Sequence, residues 1–198
     1  MANSPEIDSF LTESLGIPPN FFITLPRNDD WSFIIKLHAV IESTLIHLLT
    51  SRFQDERLRG VFVEMDNNDI KRGRLAFVRA LDLLPSHSRT FIVNLGTLRN
   101  LVAHSIRHVG FEINSDLNKD VKKNLRDSML KMHGDTISIR KPQSTQPTEV
   151  KSSQYIDDDF KLAILRGVIS ILTLVLDADL ARKGIIGQSH QIDYRLIP

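Results

Sequence analysis

Arg99, Asn100 and His104 are the residues of this chain best suited to chemistry, and they stand within six positions of one another in Arg99-Asn100-Leu101-Val102-Ala103-His104. A histidine titrates near neutrality, so it can take or give a proton at physiological pH. A guanidinium can grip a phosphate bidentately and stabilise the charge of a pentacoordinate phosphorus. An amide can orient the phosphate or fix the imidazole. Together the three suit metal-independent cleavage of RNA, with the 2′-hydroxyl as internal nucleophile. On a helix Asn100 and His104 share one stripe, which Arg107 and His108 extend. Arg99 falls within the apolar arc, where a buried charge needs a partner. Glu42 is one candidate, and a second subunit meeting this face at a polar cleft is the other. An Arg and a His on one helix also occur by chance, so spacing alone leaves a solvated or structural role open.

Other residues are weighed beside this trio. His104 and His108 stand four apart but lack a third metal ligand, and no His-Glu-x-x-His pattern exists. No metal and no cofactor are therefore expected. His38 reads either as a satisfied core histidine or as a second lining of the Arg99 cleft. Lys71, Arg72, Arg74 and Arg79 form a basic cluster that could touch RNA phosphates or simply face solvent. Asp157-Asp158-Asp159 suits a helix start better than a metal site.

The elements that must position the trio are helical. Residues 30–53 carry no Pro or Gly, can be capped by Asp29 or Asp30, and place Ile34, Leu37, Ile41, Leu45 and Leu48 on one face, with His38 and Glu42 in or beside it. Residues 55–66 predict a short helix ended by Asp66-Asn67-Asn68. Asp69 is expected to cap a helix through Leu84, stopped by Pro85, with Ile70, Phe77, Ala80, Leu81 and Leu84 on its apolar face. The motif helix is expected over Ser86–Arg107, burying Phe91, Leu95, Leu98, Val102 and Ile106. Asn118–Met132 predicts a weakly amphipathic helix. Residues 133–155 are rich in Gly, Pro, Ser, Thr and Gln and read as a flexible insert. Within it Ile137-Ser138-Ile139 alternates, as in a strand or half of a hairpin near 135–142. Asp157–Asp159 begin a last, very apolar helix that reaches about Ala181. The expected fold class is all-α, a bundle of four or five main helices spanning 29–182, with an N-terminal arm over 1–28 and a C-terminal tail over 183–198.

Composition bounds the rest. The chain has 198 residues, 41% of them apolar and 25% charged, with a formal net charge of +1. That balance supplies no global field towards nucleic acid, so RNA contact would rest on local basic clusters. No cysteine is present, which excludes disulfides, thiolate catalysis and cysteine-ligated zinc. The N-terminus has no signal-peptide pattern, and the apolar stretch Val168–Leu176 is too short to span a bilayer, so a cytosolic location without membrane contact is expected.

The pattern Arg99-Asn100-x-x-x-His104 resembles the motif of the HEPN superfamily, in which an Arg, a following polar residue and a His occupy one long helix. Over residues 30–110 the chain is most similar to the mannitol operon repressor (MltR-like) branch. The resemblance rests on the segment Arg72–Leu84, on the helix ending Arg99-Asn100-Leu101-Val102-Ala103-His104-Ser105, and on Glu42 followed by Leu45, Leu48 and Leu49. Leu101-Val102 replaces the Asp-Phe usual there, and Asp82 stands where Gly is usual. The resemblance implies a helical bundle, a homodimer whose cleft combines two motif copies, and metal-independent endoribonuclease or RNA-binding activity of toxin or defence type. Arg99, Asn100 and His104 would be catalytic, with Glu42, His38, Arg107 and His108 in support and Lys71, Arg72 and Arg74 on RNA. An antitoxin or other regulatory protein would be a further partner. The repressor-like branch implies the alternative, a non-catalytic transcriptional regulator or protein-interaction module.

Overall fold

The computed structural model describes residues 10–67, 69, 71–104, 110–139 and 147–184. It is a helical bundle carrying one small antiparallel hairpin. A π-helical turn at Phe10–Ser14, helix α1 (Phe21–Thr24) and a 3-10 turn at Leu25–Arg27 form the arm. Phe10, Leu15, Ile17, Phe22 and Leu25 bury themselves on the bundle, so the described part of the arm belongs to the core.

Helix α2 (Asp30–Phe53) is central. The Asp29 carboxylate accepts a 2.8 Å bond from the Ser32 N–H, which satisfies one of the free donors of the first turn. Ile34, Leu37, Ile41, Leu45 and Leu48 are all buried, as the spacing predicts. This helix is long and apolar enough to cross a membrane by length and composition, but here its apolar side chains form the interior of the bundle.

After α2 come a 3-10 turn at Glu56–Leu58 and the short helices α3 (Arg59–Glu64) and α4 (Arg74–Ala80). Helix α4 begins later and ends earlier than the expected span from Asp69 to Leu84. Asp69 instead accepts from the N–H groups of Lys71 and Arg72 in a tight turn. Gly73 closes that turn, donating to the Asp69 carbonyl while Arg74 N–H reaches Asp66. A Cβ at Gly73 would lie 2.3 Å from the Asp66 carbonyl oxygen, so only glycine fits. The helix that follows is also rotated from expectation. Leu75 and Val78 point inward, whereas Phe77 and Leu81 stay 37% exposed.

Helix α5 (Ser86–Ala103) carries the motif and lies against α2 and α7. Its stripe of Phe91, Leu95, Leu98 and Val102 is fully buried. It ends at Ala103 with His104 as C-cap, four residues short of the expected Arg107. Ile106, Arg107 and His108 lie outside the described residues. A short helix α6 (Ile113–Asp116) leads to α7 (Lys119–His133), which Asn118 caps and Gly134 ends at φ 70°.

The insert expected to be flexible holds ordered elements on both sides of 140–146. Strands β1 (Thr136–Ile139) and β2 (Thr148–Lys151) pair antiparallel, Ile137 opposite Val150. Helix α8 (Ser152–Asp158) follows. Asp159, at φ −144°, breaks the chain and caps α9 (Phe160–Arg182) through the Leu162 N–H. Helix α9 is thus the expected last, apolar helix, started by Asp159, and α8 is an additional helix that begins in the segment read as an insert. Gly167 lets α9 approach α5: a Cβ there would sit 2.6 Å from the Phe91 ring.

Candidate functional site

The end of α5 is anchored from α2. The indole N–H of Trp31 donates to the Val102 carbonyl at 3.0 Å, tying the only tryptophan of the chain to the middle of the motif. The sequence held a signal for this contact, a lone Trp in the first turn of the first long helix, but no means of pairing it.

Arg99 is half-buried. One of its terminal N–H groups donates to the Asn100 side-chain oxygen at 3.0 Å, so Asn100 holds the guanidinium. The expected partner Glu42 is nearby, yet its direct ion pair is with Arg74, at 3.2 Å. His38 Nδ1 approaches the other carboxylate oxygen at 3.7 Å. The His38 contact is the largest influence holding the Glu42 carboxyl below the usual carboxylate range. Burial opposes it, and the charges of Arg74 and Arg99 reinforce it. The structure therefore brings Glu42 together with His38 and Arg74, while Arg99 acts on the carboxylate through its charge, without a direct ion pair among the described residues. His38 is buried, and its Nε2 has no hydrogen-bond partner among the described residues.

Arg74 departs from the expected RNA-facing cluster. It is 3% exposed and donates to Asn67 at 2.5 Å and to the Phe62 carbonyl at 2.8 Å as well as to Glu42. A buried side chain committed to Asn67, Glu42 and the Phe62 and Val63 carbonyls is not a surface phosphate contact. Burial pulls its guanidinium below the ordinary arginine value, while Glu42 and Asp66 support the charge. Lys71, Arg72 and Arg79 are exposed, as a phosphate-contacting or solvated cluster requires.

His104 is exposed at the C-cap, its N–H donating to the Asn100 carbonyl at 3.3 Å. Five positions on a helix correspond to about 7.5 Å along the axis and about 140° around it. Within one chain Arg99 thus turns towards Glu42 while His104 turns to solvent. A shallow cleft of about 400 Å³, lined by Asp29, Asp30, Gly110, Phe111, Glu112 and Asn114, opens near the start of α2 and contains none of the motif residues.

Two further polar clusters escape the sequence patterns because they join distant helices. His47, Ser51 and Asp179 meet where α2 crosses the end of α9, with Ser51 3.3 Å and Asp179 3.5 Å from His47 Nε2. Both partners address the same nitrogen, so this is no nucleophile–base–orienter relay. His133 sits by Arg166 beneath the hairpin, and Arg166 donates to the Ser138 carbonyl at 3.1 Å. No group of three or more metal-ligating side chains occurs among the described residues. The chain matches no protein-family model, no curated protein and no solved structure.

Proposed function

We propose that the chain is an HEPN-like, metal-independent endoribonuclease or RNA-binding protein that works as a homodimer. The observation that carries this reading is the state of the motif. Arg99 is held by Asn100 but not sealed from solvent, its expected counter-ion Glu42 is engaged by Arg74, and His104 is open. Among the described residues the Arg99 guanidinium bonds Asn100 alone, which leaves N–H donors for a phosphate. The divergence of Arg99 and His104 around α5 fits a cleft that needs His104 from a second copy.

In such a cleft the 2′-hydroxyl passes its proton to one His104 as O2′ bonds to phosphorus. Arg99 stabilises the phosphorane and Asn100 positions it. The P–O5′ bond then breaks, and the leaving oxygen takes a proton from the partner's His104. The products are a 2′,3′-cyclic phosphate and a free 5′-hydroxyl. The site would act in the cytosol on RNA, in a toxin or defence setting and under the control of a protein partner.

The test is cleavage of mixed RNAs in EDTA by the wild type, His104→Ala and Arg99→Ala. Wild-type cleavage that falls at least about 100-fold in both variants is the expected result. Absence of wild-type cleavage, or cleavage unchanged in His104→Ala, removes the nuclease reading. One observation favours a second reading, a non-catalytic regulator of the mannitol operon repressor type: the Glu42 carboxylate lies close enough for Arg99 to influence it, which weakens anion binding there. Under that reading Arg99→Ala disturbs assembly or folding, and the wild type cuts nothing.

A further inference from the structure

Arg74 stands outside the motif, yet it holds the carboxylate that lies nearest to Arg99 in charge. It is the first residue of α4, and its buried guanidinium is pinned on two sides. Nε donates to the side-chain oxygen of buried Asn67 at 2.5 Å. One terminal nitrogen donates to the Phe62 carbonyl at 2.8 Å and reaches the Val63 carbonyl at 3.4 Å. A guanidinium is planar and rigid, so fixing two of its nitrogens aims the third. That third nitrogen donates to Glu42 Oε1 at 3.2 Å.

Glu42 is the less constrained partner. Its side chain is 37% exposed, and its other oxygen meets His38 Nδ1 at a loose 3.7 Å. Arg99 is a second guanidinium whose charge acts on it. The packing of α2 on α5 favours their closer approach. Trp31 at the start of α2 meets Val102 near the end of α5, and Glu42 further along α2 feels Arg99 further back along α5. The two helices therefore pass in opposite senses. Helical side chains lean towards their own N-terminus, so Glu42 and Arg99 lean towards each other. A carboxylate freed from Arg74 would move onto Arg99 and occupy the N–H donors that a phosphate needs.

We infer that Arg74 is a positioning residue of the motif: by holding Glu42 from the interior, it keeps that carboxylate off Arg99 and leaves Arg99 open to a phosphate. The phosphate rests on the proposed function, whereas the arrangement of the three charges rests on the contacts of Arg74. A purely structural Arg74 would stabilise the fold without linking the state of Arg99 to Glu42.

The test is a double-mutant cycle on the full chain, read at Arg99. Modification of Arg99 by phenylglyoxal is followed by mass spectrometry, binding of a 2′-O-methyl RNA oligonucleotide by fluorescence anisotropy, and folding by circular dichroism. In the wild type Arg99 should be modified while buried Arg74 is spared. Arg74→Met should slow modification of Arg99 about 5-fold and weaken RNA binding by a similar factor. Adding Glu42→Gln should restore both, because the amide brings no charge to Arg99. A loss of packing alone is not repaired by that second substitution. If Arg74→Met unfolds, Arg74→Gln keeps N–H donors for the Phe62 carbonyl without the charge and should give the same two results. Arg99 as unreactive as Arg74 in the wild type overturns the inference. So does a folded Arg74 variant in which Arg99 reacts as before, or in which Glu42→Gln restores nothing. Arg99 reactivity that follows the cycle in a protein that neither binds nor cuts RNA leaves the arrangement standing and removes the proposed function. RNA cleavage with Arg99 indifferent to Arg74 does the reverse.

Discussion

Arg74 is the residue whose role changes most between sequence and structure. It stands in a run of cations, Lys71, Arg72, Arg74 and Arg79, and nothing in the run marks it as different. The Gly73 turn does so by directing it inward, onto Asn67, Phe62 and Glu42. A buried guanidinium removed from its partners leaves their oxygens without donors and a carboxylate without its cation. Arg74→Met should therefore cost about 3 kcal/mol of stability in urea denaturation. Arg74→Lys keeps one charge contact and loses the fork, so about half that loss is expected. An Arg74→Met protein as stable as wild type would show that these bonds contribute nothing. Arg72→Met, at an exposed neighbour, should fall within about 0.5 kcal/mol of wild type.

At the scale of elements, long periodic segments were legible and short ones were not. The stripes of α2 and α5 appear as spaced, because many apolar positions average out any single error. Helix α4 spans only 7 residues, and its rotation follows from the Asp66–Asp69–Gly73 turn. That turn depends on backbone carbonyls no residue pattern displays. The same limit explains why α5 stops at Ala103 and why the short helix α8 went unread ahead of Asp159, while the start of α9 at Asp159 was legible from its carboxylates. The spacing of Arg99, Asn100 and His104 was legible, but the divergence of Arg99 and His104 around the end of α5 was not. Glu42, expected as the partner of Arg99, pairs directly with Arg74 from another helix, which the residue pattern did not display.

Asp82, noted in the sequence as standing where Gly is usual, adopts φ 48° after α4. That left-handed conformation costs an L-residue energy that glycine does not incur. Its carboxylate is exposed and pairs with Arg89 at 3.3 Å, a contact of small value at the surface. Asp82→Gly should therefore raise stability by about 0.5 kcal/mol, or leave it unchanged once the greater freedom of the unfolded chain is included. A loss above about 1 kcal/mol would show that the ion pair with Arg89 outweighs the backbone strain. Gly167→Ala should act in the opposite direction. Its Cβ would press the Phe91 ring between α5 and α9, with an expected loss of about 1–3 kcal/mol in thermal or urea unfolding.

Over the whole molecule, two half-buried histidines, His47 and His133, tie stability to pH in one direction. Burial, reinforced by the nearby charges of Arg166 and His87, lowers His133 from 6.5 to about 4. Burial likewise lowers His47, against the pull of Asp179. Such a histidine stays neutral in the fold while the unfolded chain takes up a proton near pH 6.5. Stability is then complete above that pH and is lost as pH falls, until the folded group itself titrates. For His133 the window runs from about 6.5 to about 4, and the full shift corresponds to about 3 kcal/mol. His47 adds to the same slope. Carboxylates held low, among them Asp29, Glu42 and Asp157, contribute a further loss below the ordinary carboxylate range. Urea midpoints measured at half-unit steps between pH 7.5 and 4 would trace this decline. His133→Leu should flatten its upper part, leaving the share that belongs to His47. A wild-type stability constant across that range would mean that His133 meets a compensating partner when protonated, and its Nε2, which has no hydrogen-bond partner among the described residues, makes that the alternative to test first.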